Sequence, residues 1–185
     1  MSGFSSIFWG FLFMFDFRIQ VWDILPNFIG YIFMYYGLGN LSLYSSQFGN
    51  AKKYSIPLAV LSLFSLYQVQ NSVGRVNFDF LSLGAVALGI ITTVLDLLLV
   101  YHLCLGIIDL AKDQSNDDLQ ELAHHRWKYY FFYKVVFIIW FTIGLAAPFL
   151  LAIGFIPMFI FSIAVLLLMM ALMKKSQESL SINRF

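Results

Sequence analysis

The chain has 185 residues, of which 61% are hydrophobic, 19% aromatic and only 11% charged, with a formal net charge of +1. A soluble domain is typically about 45–50% apolar and about 25% charged, so the solvent that fits this composition is lipid, and the near-zero charge supplies no overall field for nucleic acid. The single cysteine, Cys104, excludes an intramolecular disulfide and a cysteine-only metal cluster, and the length fits one domain.

A helix that crosses a bilayer needs about 20 predominantly apolar residues. Residues 3–22 form the first such run. No Lys or Arg precedes Arg18 and no A-x-A site follows, so the run reads as a retained span rather than a leader. Residues 26–45 form the second and 54–71 the third. The fourth covers 80–103 and extends to 111; from Phe80 to Ala111 a helix would reach about 48 Å, beyond one face of the hydrocarbon core. The fifth is 126–147. A turn around Pro148 to Pro157 precedes the sixth, 154–173. None of these runs shows the in/out alternation of barrel strands. The expected fold class is therefore all-α: a polytopic transmembrane helical bundle of six spans in a single integral membrane domain.

Lys and Arg orient it. With the N-terminus in the cytoplasm, the inner loops hold Lys52, Lys53, Lys112, Arg126 and Lys128, and the C-terminal segment holds Lys174, Lys175 and Arg184. Arg18 and Arg75 are left outside. The positive-inside rule thus favours both termini in the cytoplasm. The loops 46–53, 72–79 and 147–156 are too short for a soluble domain.

"FMFDFRIQVWDILPNFIGY", 13–31, places three charges in an aromatic and aliphatic stretch. Arg18 can snorkel to the headgroups, whereas the short Asp16 needs a partner or water. Asp23 followed by Pro26 resembles helix initiation, and Asn27 comes next. Two readings compete: a polar turn with an interfacial ion pair, or one wall of an outward-facing polar site that Gln68, near the outer end of the third span, could share. The segment "DILPNFIGYIFMYYGL", 23–38, resembles a D-I-L-P-[DN]-F-I-G-Y hairpin of small uncharacterised multi-pass membrane proteins of Gram-positive bacteria. That resemblance implies a bacterial plasma-membrane protein and carries no activity with it.

Asp96 is the second anomaly, with apolar flanks on both sides in "LGIITTVLDLLLVYHL", 88–103. A carboxylate at mid-membrane costs about 2.5–3.5 kcal/mol on insertion scales and generally faces the bundle interior with a partner. Thr92 and Thr93 lie one turn earlier and Gly89 two turns back, a narrow polar stripe with room for a close neighbour. Either Asp96 makes an interhelical hydrogen bond, or it forms a proton, cation or amine-ligand site with Thr92 and Thr93. His102 and Asp109 share another face, and His102 reads as a membrane-interface residue.

"KDQSNDDLQELAHHRWK", 112–128, is the one sizeable polar stretch. Ser115 and Asp118 resemble a capping box, and acids early with bases late suit a helix dipole. The expectation is a short cytoplasmic helix running into the fifth span. It is either a solvated connector or a docking surface for another membrane protein. The adjacent His124 and His125 point about 100° apart on a helix, so no metal site is expected. "WKYYFFYK", 127–134, reads as a cytoplasmic-side aromatic anchor. Tyr31, Tyr35 and Tyr36 could cage a cation, although lipid-facing packing explains them as well.

There is no H-E-x-x-H, G-x-S-x-G or Gly-rich phosphate loop, no nucleophile beside a base, and no cofactor signature. Three functions stay open: a membrane protein that binds or transports a small solute or cation, a non-catalytic accessory, regulatory or immunity protein of another membrane complex, and an intramembrane lipid-modifying enzyme. Size and span count resemble the substrate-binding subunits of energy-coupling-factor vitamin transporters. The first span, however, shows no small-residue face of the kind those subunits use to dock their partner.

Overall fold

The computed structural model describes residues 3–14, 18–19, 22–23, 27–71 and 80–180. Within them run six helices: α1 (Gly3–Phe13), α2 (Asn27–Leu41), α3 (Ser46–Asn71), α4 (Phe80–Asp113), α5 (Asp117–Ala146) and α6 (Pro148–Ser179). One antiparallel ladder of two-residue strands, β1 (Arg18–Ile19) and β2 (Trp22–Asp23), lies between α1 and α2. Each helix packs on its neighbours in the chain, and α6 closes the ring against α1. The class is the expected helical bundle.

Several boundaries differ from expectation. The first apolar run is helical only to Phe13, and Arg18 then stands opposite Asp23 in the ladder. Asp23 is therefore a strand residue and does not open α2, which begins at Asn27 directly after Pro26. The expected loop 46–53 is helix. Ser45 caps α3 by accepting from the Gln47 N–H at 3.2 Å, and α3 then runs through Pro57. The expected turn from Pro148 to Pro157 is also helix. Ala147 alone separates α5 from α6, Pro148 opens the new helix where a missing N–H costs nothing, and Pro157 lies inside it.

Between α4 and α5 the cap is Asn116, one residue later than the expected Ser115. Its Oδ1 accepts from the Leu119 N–H at 3.1 Å. Ser115 instead takes the left-handed conformation (φ 52°) that turns the chain at the end of α4. The polar segment then continues without a break into α5, as the sequence suggests, with Asp117 and Asp118 in the first turn.

α1 and α2 meet through glycine. A Cβ on Gly3 would lie 2.8 Å from the Gly37 carbonyl oxygen, and one on Gly37 would lie 2.6 Å from that of Gly3. Gly10 and Gly30 repeat the arrangement at 2.9 and 2.7 Å. The two backbones touch as GxxxG-type helix pairs do. α1 therefore does carry a small-residue face (Gly3, Ser6 and Gly10, all buried), contrary to the reading from sequence, and α2 fills it. Phe48 of α3 packs its ring onto Gly106 of α4 in a further close approach.

The core follows these contacts, from Phe4, Ile7 and Phe11 through Met34 and Leu38 to Leu99, Leu103 and Met169. Much of the outer surface is apolar too. Ile90, Ile91 and Val94 of α4, Phe131, Phe132, Ile138 and Ile139 of α5, and Ile153, Phe155, Ile156 and Ile160 of α6 all face outward. Among the described residues, two helical segments are long and apolar enough to cross a membrane by length and composition, Ala87–Asp113 and Ile153–Ser179. α1, with 11 residues, reaches only about 16 Å against a hydrocarbon core of about 30 Å.

Candidate functional site

Asp96 is where α4 meets α5. It is 2% exposed. Its Oδ2 accepts from the Tyr130 hydroxyl at 2.5 Å and lies 2.7 Å from the Lys134 ammonium. Tyr130 and Lys134 are four apart on α5 and so project from one face of that helix. Lys134 Nζ also stands 5.3 Å from the centroid of the Tyr130 ring. Oδ1 of Asp96 is buried and has no hydrogen-bond partner among the described residues.

The interhelical partner expected for Asp96 is thus present, and it is a tyrosine together with a lysine. The cation that Asp96 answers is the chain's own Lys134. The polar stripe around it is narrower than expected. The hydroxyls of Thr92 and Thr93 donate to their own helix, to Leu88 O and Gly89 O, each at 2.8 Å. Apart from its own helix backbone, no atom of the described residues lies within 4 Å of a Cβ built on Gly89, so none of them packs closely there.

Lys134 and Tyr130 line a cleft of ≈490 Å³ between α1, α4, α5 and α6, within the usual range for a small-molecule site. Thr93, Tyr133 and Ser162 supply the other polar atoms of its wall. Phe11, Phe137, Trp140, Phe155 and Phe159 supply aromatic surface. Trp140 is held against α6: its Nε1 donates to Leu150 O at 3.3 Å, and the same edge of the indole covers Gly154, where a side chain would take its space. Lys134 is the one charged residue among the described residues of the wall; Asp96 stands behind it and does not line the cleft.

Of the other residues marked by the sequence, Asn27 is half-buried at the start of α2, away from the cleft walls. Asp16 lies outside the described residues, as do the side chains of Arg18, Asp23 and Gln68. The C-terminal part of α4 is a fastening point. His102 Nδ1 lies 2.9 Å from Gln47 Oε1, Tyr54 stacks on the His102 ring, and Asp109 accepts from the Ser45 hydroxyl at 3.0 Å. These contacts hold the start of α3 to α4. Tyr31, Tyr35 and Tyr36 do not share one environment: Tyr31 is buried and Tyr36 exposed, and the cation over Tyr35 is Lys52, 4.5 Å from the ring centroid. Among the described residues no group of three His, Cys, Asp or Glu side chains could hold a metal ion.

Sequence reasoning missed Lys134 and Tyr130. It grouped them with the aromatic anchor at 127–134. The signal was present in a lysine that interrupts the apolar run "FFYKVVFIIW", just as Asp96 interrupts another apolar run and needs a partner. No protein-family model matches this chain, and neither a curated protein nor a solved structure matches it.

Proposed function

We propose that the chain is an integral membrane bundle that binds, and in doing so could carry, a small solute in the cleft beside Lys134. The supporting observation is the Asp96–Lys134 pair at the cleft wall. Desolvating two charges costs several kcal/mol per ion, and apolar residues of similar volume would hold α4 to α5 at least as well. What the pair adds is a charged donor at the wall of a cleft whose other lining is mostly aromatic and aliphatic. The outward apolar side chains of α4, α5 and α6 support a bilayer as the surrounding solvent.

In the same proposal α3, α4, α5 and α6 cross the bilayer, and α1 with α2 enters it as a close-packed hairpin. α1 is too short for a full crossing, but a hairpin that enters and returns leaves both termini on the cytoplasmic side, as six full spans would. The bacterial plasma membrane is the setting implied by the likeness of residues 23–38.

Native mass spectrometry of the intact protein released from detergent tests the binding reading. Small molecules should be retained by the native chain and lost from Ser162→Trp, which fills the cleft from α6, while circular dichroism shows unchanged helix content. Equal retention by both proteins would place binding elsewhere and defeat the proposal.

A further inference from the structure

Resting on the cleft reading above, we infer that the occupant is a neutral, lipid-soluble molecule with a carbonyl acceptor at one end of a ring-containing apolar body, taken up from the bilayer rather than from water. Charge decides the head group. The described cleft wall carries an ammonium and no carboxylate, so a cationic head would meet like charge. The Lys134 charge is already balanced by the buried Asp96 at 2.7 Å. Among the described groups, an anionic head would join one ammonium and one carboxylate, a net negative sum in a largely apolar setting, where each unbalanced ion costs several kcal/mol. A neutral head adds no charge. It must be an acceptor, because an ammonium only donates.

The wall decides the body. Phe137, Trp140, Phe155 and Phe159 present ring faces and edges, which favour offset or edge-on contact with another ring. The Trp140 N–H is already held by Leu150 O, so the indole offers its ring surface. The mouth decides the route. Phe155 is 61% exposed, and it adjoins the outward-facing Ile156 and Ile160 of α6, which are apolar as well. A molecule dissolved in the bilayer reaches this rim without crossing water.

The test uses the full chain in detergent and three probes at equal concentration: a short-tail 1,4-naphthoquinone, the matching alkylnaphthalene that lacks both carbonyls, and palmitate. Binding is read by native mass spectrometry and by quenching of the Trp140 fluorescence, with Trp140→Phe as the optical control. The naphthoquinone should bind saturably, about tenfold or more tighter than the alkylnaphthalene, the ratio expected for a hydrogen bond to a charged donor, and tighter than palmitate. In Asp96→Leu/Lys134→Met, which removes both charges together and so keeps the helix contact, that advantage should vanish. Equal binding of naphthoquinone and alkylnaphthalene would overturn the acceptor head. Tightest binding by palmitate would overturn the neutral head and leave the cleft reading standing, provided that Ser162→Trp abolishes it. Saturable binding that Ser162→Trp leaves intact would remove the cleft reading and this inference together.

Discussion

Lys134 Nζ and Asp96 Oδ2 face one another at 2.7 Å across the α4–α5 contact, and the carboxylate is almost wholly buried. Each charge makes the other tolerable there. The consequence differs from what an isolated intramembrane aspartate would show, because neutralising Asp96 alone leaves an ammonium without its counter-ion.

Asp96→Asn should therefore lower stability by about 3–5 kcal/mol, the cost of breaking a buried pair from one side. Asn keeps the shape and one acceptor but not the charge. Asp96→Leu/Lys134→Met should fall within about 1 kcal/mol of the native chain or exceed it, since no charge is left behind. Unfolding midpoints in a denaturant series of one detergent would compare the three. Native-like stability of Asp96→Asn would show that Lys134 does not depend on this carboxylate.

The glycine seam makes a directional prediction of its own. Gly37→Ala puts a methyl 2.6 Å from the Gly3 carbonyl oxygen, so α1 and α2 must separate. Overpacking of this kind costs about 1–3 kcal/mol. Gly89→Ala, made where no packing neighbour among the described residues lies within 4 Å, should instead stabilise α4 by about 0.5–1 kcal/mol through helix propensity alone. Thermal unfolding of the two variants should move in opposite directions. A shift of the same sign would mean that the seam is not closed.

At the start of α5, Asn116→Ala should cost about 1 kcal/mol, the usual loss for a capping side chain. Ser115→Ala should have a much smaller effect, because no hydrogen bond from the Ser115 side chain caps α5. Amide hydrogen exchange at Leu119, whose N–H is the donor to the cap, reports the difference locally. Faster exchange in Ser115→Ala than in Asn116→Ala would reverse the assignment.

The proposed orientation is open to labelling. In a Cys104→Ser background, Asp113→Cys places a thiol at the exposed end of α4 without touching the Asn116 cap. An impermeant maleimide should leave it unmodified in intact cells and label it after lysis. Labelling from outside would invert the orientation.

The helical class and the run of polar residues from 112 into α5 were legible in the sequence, because composition and the length of apolar runs act locally and need no partner. The demand that Asp96 be answered was legible too, since a carboxylate flanked by apolar residues on both sides is costly to bury without a partner. What answers it was decided by tertiary structure. Lys134 and Tyr130 reach Asp96 only because α5 packs back on α4, and an aromatic, lysine-bearing segment has the same sequence whether it anchors at an interface or completes a buried pair. The same holds for α1: hydropathy cannot separate a short apolar helix followed by a ladder from a full span, and Gly3 and Gly10 acquire meaning only when Gly37 and Gly30 of α2 lie against them. The cleft is likewise tertiary. Its walls come from four helices, and whether Phe155 faces lipid, core or ligand follows from how α6 closes the ring onto α1, a non-local packing choice that no single segment carries.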